Sequence, residues 1–192
     1  MWVEEILHGN PVNVVEMFRM PREVFYRLAE TITDIGGLRS TLNVSVEEQL
    51  AIFLYFCGHH ASNRALQNRF QHSGDTISRH LRSVLNALRR MSPILIKIPD
   101  ENASVHDRIL SSSKFYPFFE GCRMCIDGTH VPVSVPAADV ARFQSRKGIT
   151  MNVLAACDFD LLFTYVLAGW EGTAGDGKLY EAALQSGLSV PL

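Results

Sequence analysis

The run Met124-Cys125-Ile126-Asp127-Gly128-Thr129-His130-Val131-Pro132-Val133 decides how the chain is read. Strand-forming apolar residues enclose a carboxylate, and Gly, Thr and His follow it at once. Asp is disfavoured in strands and costly to bury, so it persists where a turn, a cation or a reaction needs it. A rigid mid-strand position suits a metal ligand, and a metal ion is the best reason for Asp127.

Working outward, residues 122–135, 151–157 and 161–170 read as three β-runs, with Asp158-Phe159-Asp160 as a hairpin turn between the last two. A helix over about 177–186 follows. In a meander the first strand is expected beside the third, which brings Asp127 near the segment after Gly169 and so near Asp176. The two carboxylates then share a divalent cation. Mg²⁺ or Mn²⁺ takes hard oxygen ligands, and phosphodiester hydrolysis uses two such ions about 3.5–4 Å apart to activate water and stabilise the leaving oxygen.

Other polar residues here have simpler readings. Asp176 precedes a helical pattern and also reads as an N-cap, a role compatible with metal binding. Asp158 and Asp160 read as turn residues, and Glu171 as a solvated strand end. Cys122 and Cys125, with His130 nearby, have zinc-like spacing, but strand residues three apart point to opposite faces and no second ligand pair follows. His130 is opposite Asp127 in the same way unless Gly128 bulges the strand. Arg146 and Lys147 lie in a polar break between the first two strands, either touching phosphate or forming an ordinary solvated loop.

The first half reads as helices. Pro21 fits a first turn, Phe25, Leu28 and Ile32 recur at helical spacing, and Gly36-Gly37 ends the pattern. Ser45-Val46-Glu47-Glu48 matches a capping box and leads into Leu50–Cys57, apolar nearly all round, as expected of the helix at the centre of a small core. Segments 62–70 and 74–91, separated by Gln71-His72-Ser73, have helix-turn-helix spacing, with Ser73 as the second cap. On the second segment Ile77, Leu81, Val84, Leu85, Leu88 and Met91 define an apolar face. Arg79, Arg82, Asn86 and Arg89 define a basic one. The expected organisation is a helical domain over 1–98, a connector over 99–121 whose aromatic end Phe115–Phe119 docks onto something, and a strand-rich domain over 122–192.

Composition bounds the function. Of 192 residues 47% are hydrophobic, enough for one domain or two small ones, and there is neither a membrane-length apolar run nor a signal-peptide pattern. A soluble intracellular protein is expected. Four irregularly spaced cysteines argue for reduced thiols in a nuclear or cytosolic setting. The net charge of -2 hides a block over 62–98 with seven bases and one acid, +6, between two segments of -4 each. Such segregation suggests an anionic partner, although a solvated helix face gives the same pattern.

With these residues in place, a family resemblance is clear. "CIDGTHVPV" and "RKGITMNVLAACDFDLLFTYVLAGWEGTAGD" resemble the first half of the catalytic domain of Harbinger-type DDE transposases and the nuclease-like proteins derived from them. "SVEEQLAIFLYFCGHHASNRALQNRFQHSGDTISRHL" resembles the helical domain that precedes it in plant and fungal members. The resemblance spans roughly 15–190. It implies a ribonuclease-H-like fold, metal-dependent cutting of DNA and a nuclear location. Asp127 matches the first catalytic aspartate. Asp176 matches the acid of a motif usually reading Gly-Ser-Ala-His-Asp-Ser, here Gly172-Thr173-Ala174-Gly175-Asp176-Gly177, without the His and the final Ser. A later Asp and Glu of the family set find no match before Leu192, so a truncated relative with impaired catalysis is expected, its open sheet edge covered by a protein partner or by the helical domain.

The expectation is therefore an α+β protein: a helix-turn-helix-like α-helical domain, then a partial ribonuclease-H-like α/β domain of a three-stranded meander plus a helix. Asp127 and Asp176 are the candidate catalytic and Mg²⁺- or Mn²⁺-binding residues. Arg79, Arg82, Arg89, Arg146 and Lys147 are the candidate DNA contacts. The alternatives are a DNA-binding module without catalysis and a helical protein-interaction module.

Overall fold

In the computed structural model, which describes residues 2–100 and 102–189, side-chain caps set where several helices of the first unit, Met1–Leu95, begin. This unit contains α1 (Trp2–His8), α2 (Pro11–Phe18), α3 (Arg22–Asp34), α4 (Val46–His59), α5 (Asn63–Phe70) and α6 (Gly74–Leu95). Asn10 accepts from Val12 N, Ser45 from Glu48 N, Ser62 from Ala65 N and Ser73 from Thr76 N. Each satisfies a helix N–H that has no partner within its own helix. The capping box at α4 is only half made. Glu48 is buried, and its carboxylate takes His72 Nε2 at 2.9 Å. An acidic side chain drawn into the interior finds a tertiary partner in preference to its own helix end.

Helix α4 packs against each of the other five helices. Its Leu50, Ala51 and Ile52 share one core with Phe18 and Phe25 of the preceding helices and with Ile77, Val84 and Met91 of α6. The buried stripe of α6 is Ile77, His80, Val84, Ala87 and Met91, at spacings of three and four. Leu85, expected on this face, lies outside it and is 48% exposed. Helix α6 also runs past Met91 to Leu95 despite Pro93. Proline cannot donate to the Arg89 carbonyl, and the Ser92 hydroxyl donates to it instead at 3.0 Å.

His80 is 2% exposed and its Nδ1 is buried without a partner. Burial, then the charges of Arg79 and His72, hold its pKa below 6.5. The unfolded chain therefore binds a proton that the fold resists. The stability is present above about pH 6.5 and is lost as pH falls through the depressed value. Urea melts at pH 7.5 and pH 5 are expected to show a larger acid loss in the parent than in His80→Leu. Equal losses would remove His80 as the cause.

The second unit, Ile96–Leu192, is α+β. It contains α7 (Asp107–Leu110), β1 (Cys125–Pro132), α8 (Val140–Phe143), β2 (Gln144–Ser145), β3 (Gly148–Cys157), β4 (Phe163–Glu171) and α9 (Asp176–Gln185). All pairings are antiparallel, and β3 is central: β1 and β2 pair with it, and β4 pairs with it too. The first long strand therefore lies beside the second and not beside the third. The meander expected from sequence gains a fourth strand, β2, whose two residues are too few to leave a periodic signal. Arg146 and Lys147 form the tip of the tight β2–β3 hairpin, and Gly148, at φ 102°, supplies the positive-φ position.

Burial alternates along β3: Thr150, Asn152, Leu154 and Ala156 face inward. Leu154 packs with Leu179 and Ala183 of α9 and with Leu188, and Ile126 and Trp170 border them. Asp158 behaves as a turn residue, its Oδ1 accepting from Asp160 N and Leu162 N. Asp160 meets His106 Nε2 at 3.3 Å. Glu171, expected to be merely solvated, accepts from Arg142 Nε at 2.8 Å. Phe115, Tyr116, Phe118 and Phe119, expected to be docked, are exposed, Phe118 to 81%.

Candidate functional site

Position in the sheet fixes what Asp127 can reach. Strand β1 pairs with β3 without a bulge, Asp127 opposite Ala155, Gly128 opposite Leu154 and His130 opposite Asn152. Alternation then puts Gly128 and His130 on the face that α9 covers and starts the Asp127 side chain from the other. Its carboxylate turns back to accept from Gly128 N at 2.8 Å.

Asp176 arrives from the opposite side. It is the first residue of α9, and the cap position belongs to Gly175, so the expected N-cap role is not the one observed. Its carboxylate lies against Gly128: a Cβ built there would stand 2.7 Å from Asp176 Oδ1. Only a residue without a side chain lets the carboxylate come this close to the strand. The two carboxylates thus flank one glycine, with nearest oxygens no more than about 8 Å apart by standard backbone dimensions. Among the described residues no group of three or more His, Cys, Asp and Glu is placed to hold a metal ion.

Residues that sequence reading passed over hold Asp176 there. Thr173 Oγ1 donates to the Arg142 carbonyl at 3.0 Å, and Asn152 Nδ2 donates to the Ala174 carbonyl at 3.0 Å and to Asp176 Oδ1 at 3.5 Å. Asn152 is 1% exposed, and its Oδ1 is buried without a partner. Beside it His130 Nδ1 meets Thr150 Oγ1 at 3.0 Å, and Thr150 donates to Ser145 Oγ at 2.9 Å. The available signal was a pair of polar residues, Thr150 and Asn152, at inward positions of an otherwise apolar strand.

The donor chemistry suits a hard cation: two carboxylates flank a backbone position kept bare. An ion that keeps part of its water shell, as Mg²⁺ does, suits carboxylates that flank a strand without facing each other. Among the described residues Cys122 and Cys125 are not grouped with a third His, Cys, Asp or Glu, and the Cys122 thiol donates to the Met124 carbonyl at 3.4 Å.

The second candidate surface is the outer face of α6. Arg79, Arg82 and Arg89 are exposed and have no acidic partner among the described residues. The Arg79 guanidinium donates to Thr76 Oγ1 of its own helix at 3.3 Å. In the other unit Arg146 and Lys147 are exposed at their hairpin tip.

Residues 126–188 match the family model described as DDE superfamily endonuclease. The matched segment of this DDE endonuclease model begins one residue before Asp127 and includes Asp176, so both carboxylates lie inside it. It supports a transposase-derived, nuclease-like reading of the second unit, and DDE endonucleases generally use divalent metal ions. Residues 1–90 match a different model, described as "Domain of unknown function (DUF8040)". No curated protein and no solved structure matches the chain. No helix among the described residues is long and apolar enough to cross a membrane.

Proposed function

We propose that the chain is a nuclear, transposase-derived protein of Harbinger type. In this reading a ribonuclease-H-like second unit holds a divalent cation, and a helix-turn-helix-like first unit holds DNA. The observation that carries the metal reading is the pair of carboxylates, Asp127 and Asp176, flanking Gly128. Asp127 and Asp176 would hold Mg²⁺ or Mn²⁺, which when bound supplies charge stabilisation and a more acidic water for phosphodiester hydrolysis. Asn152 and Thr173 keep the start of α9 against the sheet and so fix where Asp176 sits. Two carboxylates supply few of the ligands that a second ion would need, so binding of one ion is the expected behaviour of Asp127 and Asp176.

Thermal melts test the pair. An ion that binds only the folded state at ten times its Kd adds about 1.4 kcal/mol, which raises the melting temperature of a unit this size by several degrees. Millimolar Mn²⁺ is expected to raise it in the parent and not in Asp127→Asn or Asp176→Asn. A rise retained in both variants sinks the assignment. Robust Mg²⁺-dependent nicking of plasmid DNA by the parent, absent in Asp127→Asn, would restore full catalysis.

A DNA-binding module without catalysis is the second reading, and it rests on the exposed arginines of α6 that have no acidic partner among the described residues. Counterion release from phosphate would drive that binding and make it steeply salt-dependent.

A further inference from the structure

The loop between α3 and α4 and the facing side of α6 line a polar cavity of about 270 Å³ that is open to solvent. Its walls include Arg39, Thr41, Gln49, Ser83, Asn86 and Arg90. Two of these are guanidinium groups, and neither has a carboxylate partner among the described residues.

Both are anchored. Arg90 Nε donates to the Gly36 carbonyl at 2.7 Å, which leaves its two terminal nitrogens without a hydrogen-bond partner among the described residues and lays the group across Gly37. Arg39 spends Nη1 on the Thr33 and Leu38 carbonyls and keeps Nε and Nη2 unspent. The loop carrying Arg39 is itself fixed, because Gln49, 1% exposed, donates to the Arg39 carbonyl at 2.9 Å and to the Val44 carbonyl at 3.4 Å. Thr41 closes the same loop by exchanging bonds with Val44. Across the cavity, Ser83, Asn86 and Arg90 lie at i, i+3 and i+7 on α6 and so line one side of that helix. The Ser83 hydroxyl is occupied by the Arg79 carbonyl, whereas the Asn86 amide makes no side-chain hydrogen bond among the described residues.

We infer that this cavity binds a phosphate group, held by the unspent nitrogens of Arg39 and Arg90 and by the Asn86 amide. Two guanidinium groups fixed by carbonyls before any ligand arrives lose little freedom on binding, and their forked donors match the several oxygens of phosphate. A single carboxylate would leave part of this donor set unpaired. Asn86 also lies in the Arg79, Arg82, Asn86, Arg89 stripe, so the cavity opens beside the proposed DNA face. The phosphate then has two sources, a free ion or one phosphodiester of a strand lying along α6. The second source rests on the DNA reading and the first does not.

Two arms separate them, both using the full chain. In a ¹⁵N-¹H titration with inorganic phosphate at constant ionic strength, the parent is expected to show saturable shifts at the amides of Gly37, Leu38, Asn86 and Arg90. Ser83→Asp and Asn86→Asp each place a carboxylate in the wall without touching either arginine anchor. Each should weaken phosphate at least tenfold while the spectrum stays folded. For DNA, each variant should lower the slope of log affinity against log salt by about 0.9, one phosphate contact.

A phosphate response lost in the variants with an unchanged DNA slope supports the cavity and assigns it to free phosphate. The same response in a chain that binds no DNA supports the cavity and removes the DNA reading. Unsaturable or scattered shifts in the parent, or shifts that survive in both variants, overturn the inference, whatever the chain does with DNA.

Discussion

Gly172→Ala is expected to unfold the second unit. A Cβ at this position would stand 2.5 Å from the Phe143 carbonyl oxygen and 2.8 Å from Thr150 Oγ1, and it would collide with the Thr150 carbonyl as well. Two of these three atoms are backbone. Neither can turn aside as a flexible side chain would, so relief requires α8 or the start of β3 to move. The next residue is tied down too, since Thr173 Oγ1 bonds the Arg142 carbonyl, and Glu171 on the other side holds the Arg142 guanidinium. Overpacking against fixed backbone costs several kcal/mol, comparable to the whole stability of a small unit. The fully buried apolar set here is small, Leu154, Ala156, Leu179, Ala183 and Leu188 with Ile109, and offers little reserve. Gly175→Ala is the control, because a Cβ there meets nothing within 4 Å and its φ of -77° suits any residue. Urea melts followed by far-ultraviolet circular dichroism should show the strand-rich transition lost in Gly172→Ala and kept in Gly175→Ala. A Gly172→Ala protein with the parent's transition would mean that the Phe143–Thr150 crossing yields to a methyl group.

How much of this was legible follows from the range of each interaction. Helix starts were readable, because a cap is a local event: Ser45 and Ser73 each bond an N–H three residues on. The fate of Glu48 was not, since its partner His72 is 24 residues away. Period also has a limited resolution. Ile77, Val84 and Met91 were correctly placed on the buried side of α6, but the stripe runs through His80 and Ala87 and leaves Leu85 outside. A titratable His and a small Ala carry weak hydrophobic signals, whereas Leu carries a strong one wherever it falls. Among the strands the long runs and their meander were visible, and the error was to set the first strand beside the third. Alternation states which residues share a face and says nothing about neighbours. Hence β3, not the first or last strand, turned out to be central. The carboxylates Asp127 and Asp176 stood out by residue type and motif. That they flank Gly128, with Asn152 and Thr173 holding the second, depends on long-range packing that no spacing encodes.

The Arg79→Ala, Arg82→Ala, Arg89→Ala triple variant is expected to lose most DNA binding of the full chain at low salt. These three side chains recur at helical spacing on the exposed side of α6, away from the stripe of Ile77, His80, Val84, Ala87 and Met91 that anchors the helix in the core. Their removal therefore leaves the packing intact, and surface truncations of this kind change stability by no more than about 0.5 kcal/mol each. Binding should respond very differently. A charge-assisted contact to phosphate contributes about 1.5 kcal/mol at the low end, so three lost together raise Kd on the order of a thousandfold. Each contact also releases its counterion, and the salt slope should fall by about 2.7 in total. The slope is the more discriminating readout, because it counts phosphates and is insensitive to a general loss of active protein. The companion variant Arg146→Ala, Lys147→Ala at the β2–β3 tip tests whether the second unit touches the same DNA, with a further fall of about 1.8 expected if both residues do. Binding that is absent from the parent at low salt, or a slope unchanged in the triple variant, would leave the arginine face of α6 a solvated surface and return the first unit to the protein-interaction reading.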